Sequence, residues 1–132
     1  MRNSAHDLER IWLAVGWLGV FAVTYLSLVA DPLDIGIERA DKVQHLAAYG
    51  ALMLWFAQLA VARARRMRIA IALTGLGVAL ELAQLATADR VFSVADMAAN
   101  AAGVAIGWWL APPRLPNFLA IAERRLGRRN GG

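Results

Sequence analysis

The sequence contains no cysteine, so neither a disulfide framework nor a thiolate metal site is available to it. It has only two histidines, and His45 forms no established metal-ligand spacing with the acidic residues near it. No metal and no cofactor are expected. No nucleophile-elbow sequence surrounds Ser93. Charge is absent from long stretches of the chain, and the arginines that give it a formal net charge of +4 sit beside those stretches. In that position they act as topology signals and anionic-lipid contacts, so no nucleic-acid partner is expected.

What remains is apolar. Hydrophobic residues make up 59% of the 132 residues, against about 45–50% in soluble domains. The mean hydropathy is +0.47. The runs at 11–30, 43–62, 69–88 and 94–111 read as four membrane spans. At about 1.5 Å rise per residue, about twenty residues cross a hydrocarbon core about 30 Å thick. The first run lacks a convincing small-residue cleavage site before Asp31 and is read as a retained helix. The expected fold is therefore all-α, an integral membrane bundle of four transmembrane helices. Residues 1–10 are a polar cytoplasmic tail, 11–111 the transmembrane domain and 112–132 a basic cytoplasmic tail. Within that tail, Leu115 to Leu126 suits an amphipathic surface helix. Trp12, Trp17, Trp55, Trp108 and Trp109 fall near span ends, as in an interfacial belt.

Charge bias orients the spans. Arg63, Arg65, Arg66 and Arg68 lie between the second and third, and the tail after Pro112-Pro113 is also arginine-rich. The connectors at 31–42 and 89–96 are acidic. The positive-inside rule puts the arginines and both termini in the cytoplasm. Asp41, Lys42, His45 and Tyr49 then lie at the outer end of span two. Glu81 and Gln84 lie in the outer half of span three, and Ser93, Asp96 and Asn100 open span four. Helical spacing sharpens this convergence. Lys42, His45 and Tyr49 share one face; so do Thr74, Gly77, Glu81 and Gln84; so do Ser93, Asp96, Asn100, Gly103 and Gly107. Small residues let helices approach in lipid and polar ones bond across them, so the stripes are expected to face one another.

Each polar residue has a structural and a functional reading. A carboxylate at a span centre costs about 2.5–3.5 kcal/mol on insertion scales, so Glu81 either binds a ligand or holds helices together through His45, Lys42 or Arg90. His45 is either a packing residue or a general acid/base. Arg90 is a turn residue or a bidentate anion contact. Asp41 and Ser93 suit N-caps. A Ser93, His45, Asp96 set can be written down, but it is weakly supported.

The ordered set Asp41-Lys42, His45 and Tyr49, then Glu81 and Gln84, then Arg90, Ser93, Asp96, Asn100 and Gly103, resembles the VanZ-like family. The resemblance covers residues 41 to about 107. One departure is the stretch Ala86-Thr87-Ala88-Asp89, where members of the family often carry a Pro-Gly-type turn. The resemblance implies a small multi-pass protein of the bacterial cytoplasmic membrane and cell envelope, in a family named for a protein linked to teicoplanin resistance. It supplies no reaction. Three functions are consistent with it. One is binding of a lipid-linked or amphiphilic head group in an outward polar pocket, the ligand being a phospholipid, polyprenyl phosphate, cell-wall precursor or lipoglycopeptide. The second is a membrane-embedded hydrolase or transferase using His45 or Glu81. The third is a structural subunit that pairs with a second copy or with an envelope partner protein.

Overall fold

A computed structural model of the chain describes residues 2–29, 38–86 and 92–129. All regular structure among the described residues is helical: α1 (Arg2–Leu28), α2 (Glu38–Ala57), α3 (Arg63–Gln84), α4 (Val94–Leu110) and α5 (Phe118–Arg129). Arg90 and the Thr87-Ala88-Asp89 stretch lie outside the described residues.

The helix ends differ from the run boundaries for local reasons. The polar residues before Ile11 form the first turns of α1 and continue into the apolar run without a break. Asp41 is not the N-cap of α2, because that helix already starts at Glu38. At its other end α2 stops at Ala57, short of Ala62. There the amides of Gln58, Leu59 and Ala60 each bond the carbonyl three residues back, a tightening that closes many helices. Arg66 Nε and Nη2 then take the Ala60 carbonyl at 3.3 and 3.2 Å, and Nη1 takes that of Pro112 at 2.9 Å. The arginines expected in a loop are therefore the opening turns of α3. The surface helix of the tail starts at Phe118, after Asn117 Oδ1 caps it by accepting from the Ala120 amide at 2.9 Å.

Contacts at the two ends set the topology. Trp12 of α1 stacks on Trp55 of α2, ring centroids 4.0 Å apart, and each indole N–H donates to the other residue's carbonyl. At the far end Gln84 Nε2 donates to the Ser27 carbonyl at 2.7 Å. So α1 runs antiparallel to α2 and parallel to α3, and α5 packs back on α1.

The most extensive pairing is between α2 and α4. It depends on glycine. A Cβ at Gly103 would strike the Leu46 carbonyl oxygen, and one at Gly107 would strike that of Gly50. Backbone meets backbone here, which only hydrogen side chains permit. Around the seam lies the core of Tyr49, Leu52, Met53, Phe56, Leu73 and Val104.

Polarity is distributed inside out. Gln58, Glu81, Gln84, Asp96 and Asn100 are buried, while Leu18, Phe21 and Tyr25 of α1 and Ile71 of α3 face outward. An apolar surface of that extent is not left to water, and buried polar groups in such a bundle mark its interior. Two helices, the His6–Leu28 part of α1 and α3, are long and apolar enough to cross a membrane. By the same measure α4 is short, at 17 residues, and α2 carries Glu38, Arg39, Asp41 and Lys42 in its opening turns.

The glycine seam yields a test. Gly107→Ala should lower stability in detergent micelles by about 1–3 kcal/mol through overpacking. Gly75→Ala on α3 meets nothing within 4 Å and should be neutral or gain up to about 1 kcal/mol from helix propensity. Equal unfolding midpoints for the two variants would show that the seam is not tight.

Candidate functional site

The polar cluster forms where α2 begins, α3 ends and α4 begins. Its deepest carboxylate is Glu81, 2% exposed. Glu81 Oε2 accepts from the backbone amide of Ser93 at 3.1 Å. Neither His45 nor Lys42 is its hydrogen-bond partner; the carboxylate instead anchors the chain segment that starts α4. Ser93 in turn is the N-cap of that helix, in extended backbone, with Oγ accepting from the Asp96 amide at 3.2 Å. The hydroxyl is thus engaged as a cap, and Ser93, His45 and Asp96 do not assemble into a nucleophilic set.

One turn along α4, Asn100 reaches across to α2. His45 Nδ1 and Asn100 Oδ1 lie 3.0 Å apart. Asn100 also fills the space that Gly77 leaves on α3, where a Cβ would stand 2.9 Å from its amide nitrogen. The glycine is what lets an amide side chain sit among three helices. On the other edge of the imidazole, His45 Nε2 stands 3.6 Å from Asp41 Oδ1, one turn earlier on α2. Lys42 Nζ lies 3.7 Å from Asp96 Oδ1.

Exposure is graded across the cluster. The side chains of Asp41 and Lys42 are 52% and 48% exposed, His45 and Asp96 lie beneath them, and Glu81, Asn100 and Tyr49 are buried. The Tyr49 hydroxyl and Asp96 Oδ1 are buried without a hydrogen-bond partner. Ligand atoms of Asp41, His45 and Asp96 lie within 4.8 Å of one another. The sequence spacing gave no such set, because Asp96 comes from another helix.

Of the residues singled out from sequence, Asp41, Lys42, His45, Tyr49, Glu81, Gln84, Ser93, Asp96 and Asn100 fall at this end of the bundle, and Arg90 is outside the described residues. Thr74 departs from the expected stripe. Leu73 takes the buried position, and Thr74 lines an outward groove with Met67, Ile71 and Val78. At the opposite end, sequence reasoning missed Gln58. This buried amide accepts from the Phe118 amide at 2.8 Å, and its own carbonyl accepts from Asn117 Nδ2 at 3.0 Å. It ties α2 to the start of α5. The available signal was a lone amide inside an apolar run.

Glu81→Leu should destabilise the protein by about 1–3 kcal/mol, because it leaves the partly buried Ser93 amide without an acceptor. Glu81→Gln keeps a carbonyl oxygen for Ser93 and should lose clearly less. Ser93→Ala should cost about 1 kcal/mol through loss of the cap. Chemical unfolding in micelles measures all three, and equal losses for the Leu and Gln variants at Glu81 would remove its anchoring role.

The family model described as VanZ/LLP1 matches residues 4–118, which includes the whole cluster. No curated protein and no solved structure matches the chain significantly. The match spans most of the 132 residues and contains every element that builds the polar end, so this chain belongs to the VanZ/LLP1 family.

Proposed function

We propose that the chain is a four-span protein of the bacterial cytoplasmic membrane, both termini inside, that binds the polar head group of an amphiphile at its outer polar end. The single observation that carries this reading is the graded cluster. Half-exposed Asp41 and Lys42 lead to His45 and Asp96, over a floor of buried Glu81 and Asn100. A purely structural network is expected to pair its members fully, whereas a binding site leaves groups turned to an entrance. Here a carboxylate oxygen and a phenol hydroxyl stay without hydrogen bonds inside the bundle.

Two features support the orientation. Arg66 lies at the end opposite the cluster, on the Ala60 and Pro112 carbonyls, and the arginine-rich sequence at 63–68 and 112–132 is what the positive-inside rule asks of a cytoplasmic face. α1 and α3 have the length and apolar surface to span, and α2 and α4 pack against α3. In this reading Lys42, His45 and Arg90 contact anionic or hydroxylated groups of the ligand. Asp41, Asp96 and Asn100 orient those groups, and Glu81, Gln84 and Ser93 hold the frame. Candidate ligands are a phospholipid, polyprenyl phosphate, cell-wall precursor or lipoglycopeptide, the last giving a link to glycopeptide resistance. The hydrolase or transferase reading has less support, because Ser93 Oγ and Glu81 are both committed to the start of α4.

The structural-subunit reading rests on a different observation, the outward groove of small and apolar residues on α3 around Ala70, Gly75 and Ala79. A second copy or a partner helix fits such a groove, and so does lipid.

Mass spectrometry of lipids retained by gently purified protein tests the main proposal. Wild type should enrich one class of anionic or polyprenyl lipid, and Lys42→Met should lose at least most of that enrichment while keeping the fold. An identical lipid profile for wild type and variant would remove the binding reading and favour the subunit one.

A further inference from the structure

Two buried groups at the polar end have no role in the scaffold just described, and one of them faces a set of metal-type donors. Asp96 is 8% exposed, and its Oδ1 has no hydrogen-bond partner. The only cation beside it among the described ion pairs, Lys42 Nζ, stands off at 3.7 Å, beyond hydrogen-bonding distance. A carboxylate oxygen nine-tenths buried and left in that condition is costly unless something positive completes it.

His45 points the same way from the other side. Asn100 Oδ1 lies 3.0 Å from Nδ1, so the amide oxygen is placed to accept an Nδ1 hydrogen. That leaves Nε2 as the ring's second donor atom, 3.6 Å from Asp41 Oδ1. Both atoms are donors that a single cation can share. A histidine whose second nitrogen is fixed by a carbonyl oxygen is the arrangement usual for metal-ligating imidazole.

We propose that Asp41, His45 and Asp96 form a binding site for a divalent transition-metal cation of the Zn2+ type. Their ligand atoms all lie within 4.8 Å of one another. Bonds of about 2.0–2.2 Å to a four-coordinate ion put donors about 3–4 Å apart, so small side-chain rotations close the site. One imidazole with two carboxylates favours Zn2+ over Mg2+ or Ca2+, which take oxygen donors alone. Lys42 competes for Asp96. Its side chain is half-exposed on a flexible stem, and it swings outward when the ion enters. Three protein donors leave at least one coordination position for water or for a phosphate oxygen of a head group. The inference rests on the reading of this end as a ligand site. It names what the protein side of that site holds, and its test uses no head group, so the two readings fail separately.

The test is isothermal titration of Zn2+ into untagged, chelator-stripped protein in neutral-detergent micelles. The expected result is one equivalent bound, with His6→Ala unchanged because that histidine lies far from the cluster. Asp41→Asn should weaken binding at least tenfold; it alters a half-exposed side chain and leaves the fold intact. His45→Gln should do the same. Lys42→Met should tighten binding at least threefold by removing the competing cation. X-ray absorption at the zinc edge should show one imidazole in an otherwise oxygen shell. Zn2+ affinity that is the same in wild type and Asp41→Asn, or binding in Lys42→Met no tighter than wild type, would overturn the proposal. Zinc binding as described with no lipid retained would leave the cation site standing and remove the head-group reading.

Discussion

The close contact of α2 with α4 is the constraint on which the rest depends. Gly50, Gly103 and Gly107 let two backbones touch, and at Gly103 and Gly107 no larger side chain fits between them. That approach fixes the register of the two helices. Register in turn puts Asn100 against His45 and Asp96 beside Lys42 and Asp41, at the end where the helices begin together. Lipid supplies no hydrophobic drive between helices, so packing of this kind and hydrogen bonds across the seam must hold them. The polar cluster is therefore both a consequence of the seam and part of its stability.

α3 joins this pair by different means. Gly77 makes room for Asn100, Glu81 anchors the Ser93 amide, and Gln84 reaches the Ser27 carbonyl of α1. Buried groups of this cost persist because each satisfies backbone that would otherwise be orphaned. At the other end Arg66 and Gln58 do the same service, collecting carbonyls and amides freed where α2 stops and α5 starts. The two ends differ in what is left over. The arginine end closes on backbone. The His45 end keeps a carboxylate oxygen and a phenol hydroxyl without partners, and that surplus is the reason to look for a ligand there.

Much of this was legible in the sequence, and the remainder has physical reasons for having been hidden. Spacing of three and four placed Gly77, Glu81 and Gln84 on one face, and Asp96, Asn100, Gly103 and Gly107 on another, and both faces are buried. Ser93 suited an N-cap, and the cap is there. Runs of hydropathy were a poorer guide to helix ends. They could not register that α2 closes at Ala57, because the residues after it are as apolar as those before. Nor could they show Arg66 winding into α3, since its partners come from segments remote in sequence. Among the described residues Glu81 bonds a main-chain amide rather than His45 or Lys42, a partner that charge pairing does not suggest. Charge bias brought Asp41, His45 and Asp96 to one end, but not their approach as ligand atoms, because linear spacing records only one helix at a time.

The central claim is that the polar cluster and the arginine end lie at opposite faces of a membrane. Because the chain is free of cysteine, single cysteines report position without background. The measurement is labelling of Ala95→Cys and of Val61→Cys with a membrane-impermeant maleimide, in intact cells and after permeabilisation. Ala95 is exposed at the start of α4, and Val61, 84% exposed, lies between α2 and α3. The account predicts that the cysteine at position 95 reacts in intact cells and the one at position 61 only after permeabilisation. Reaction of both from the same side would contradict it.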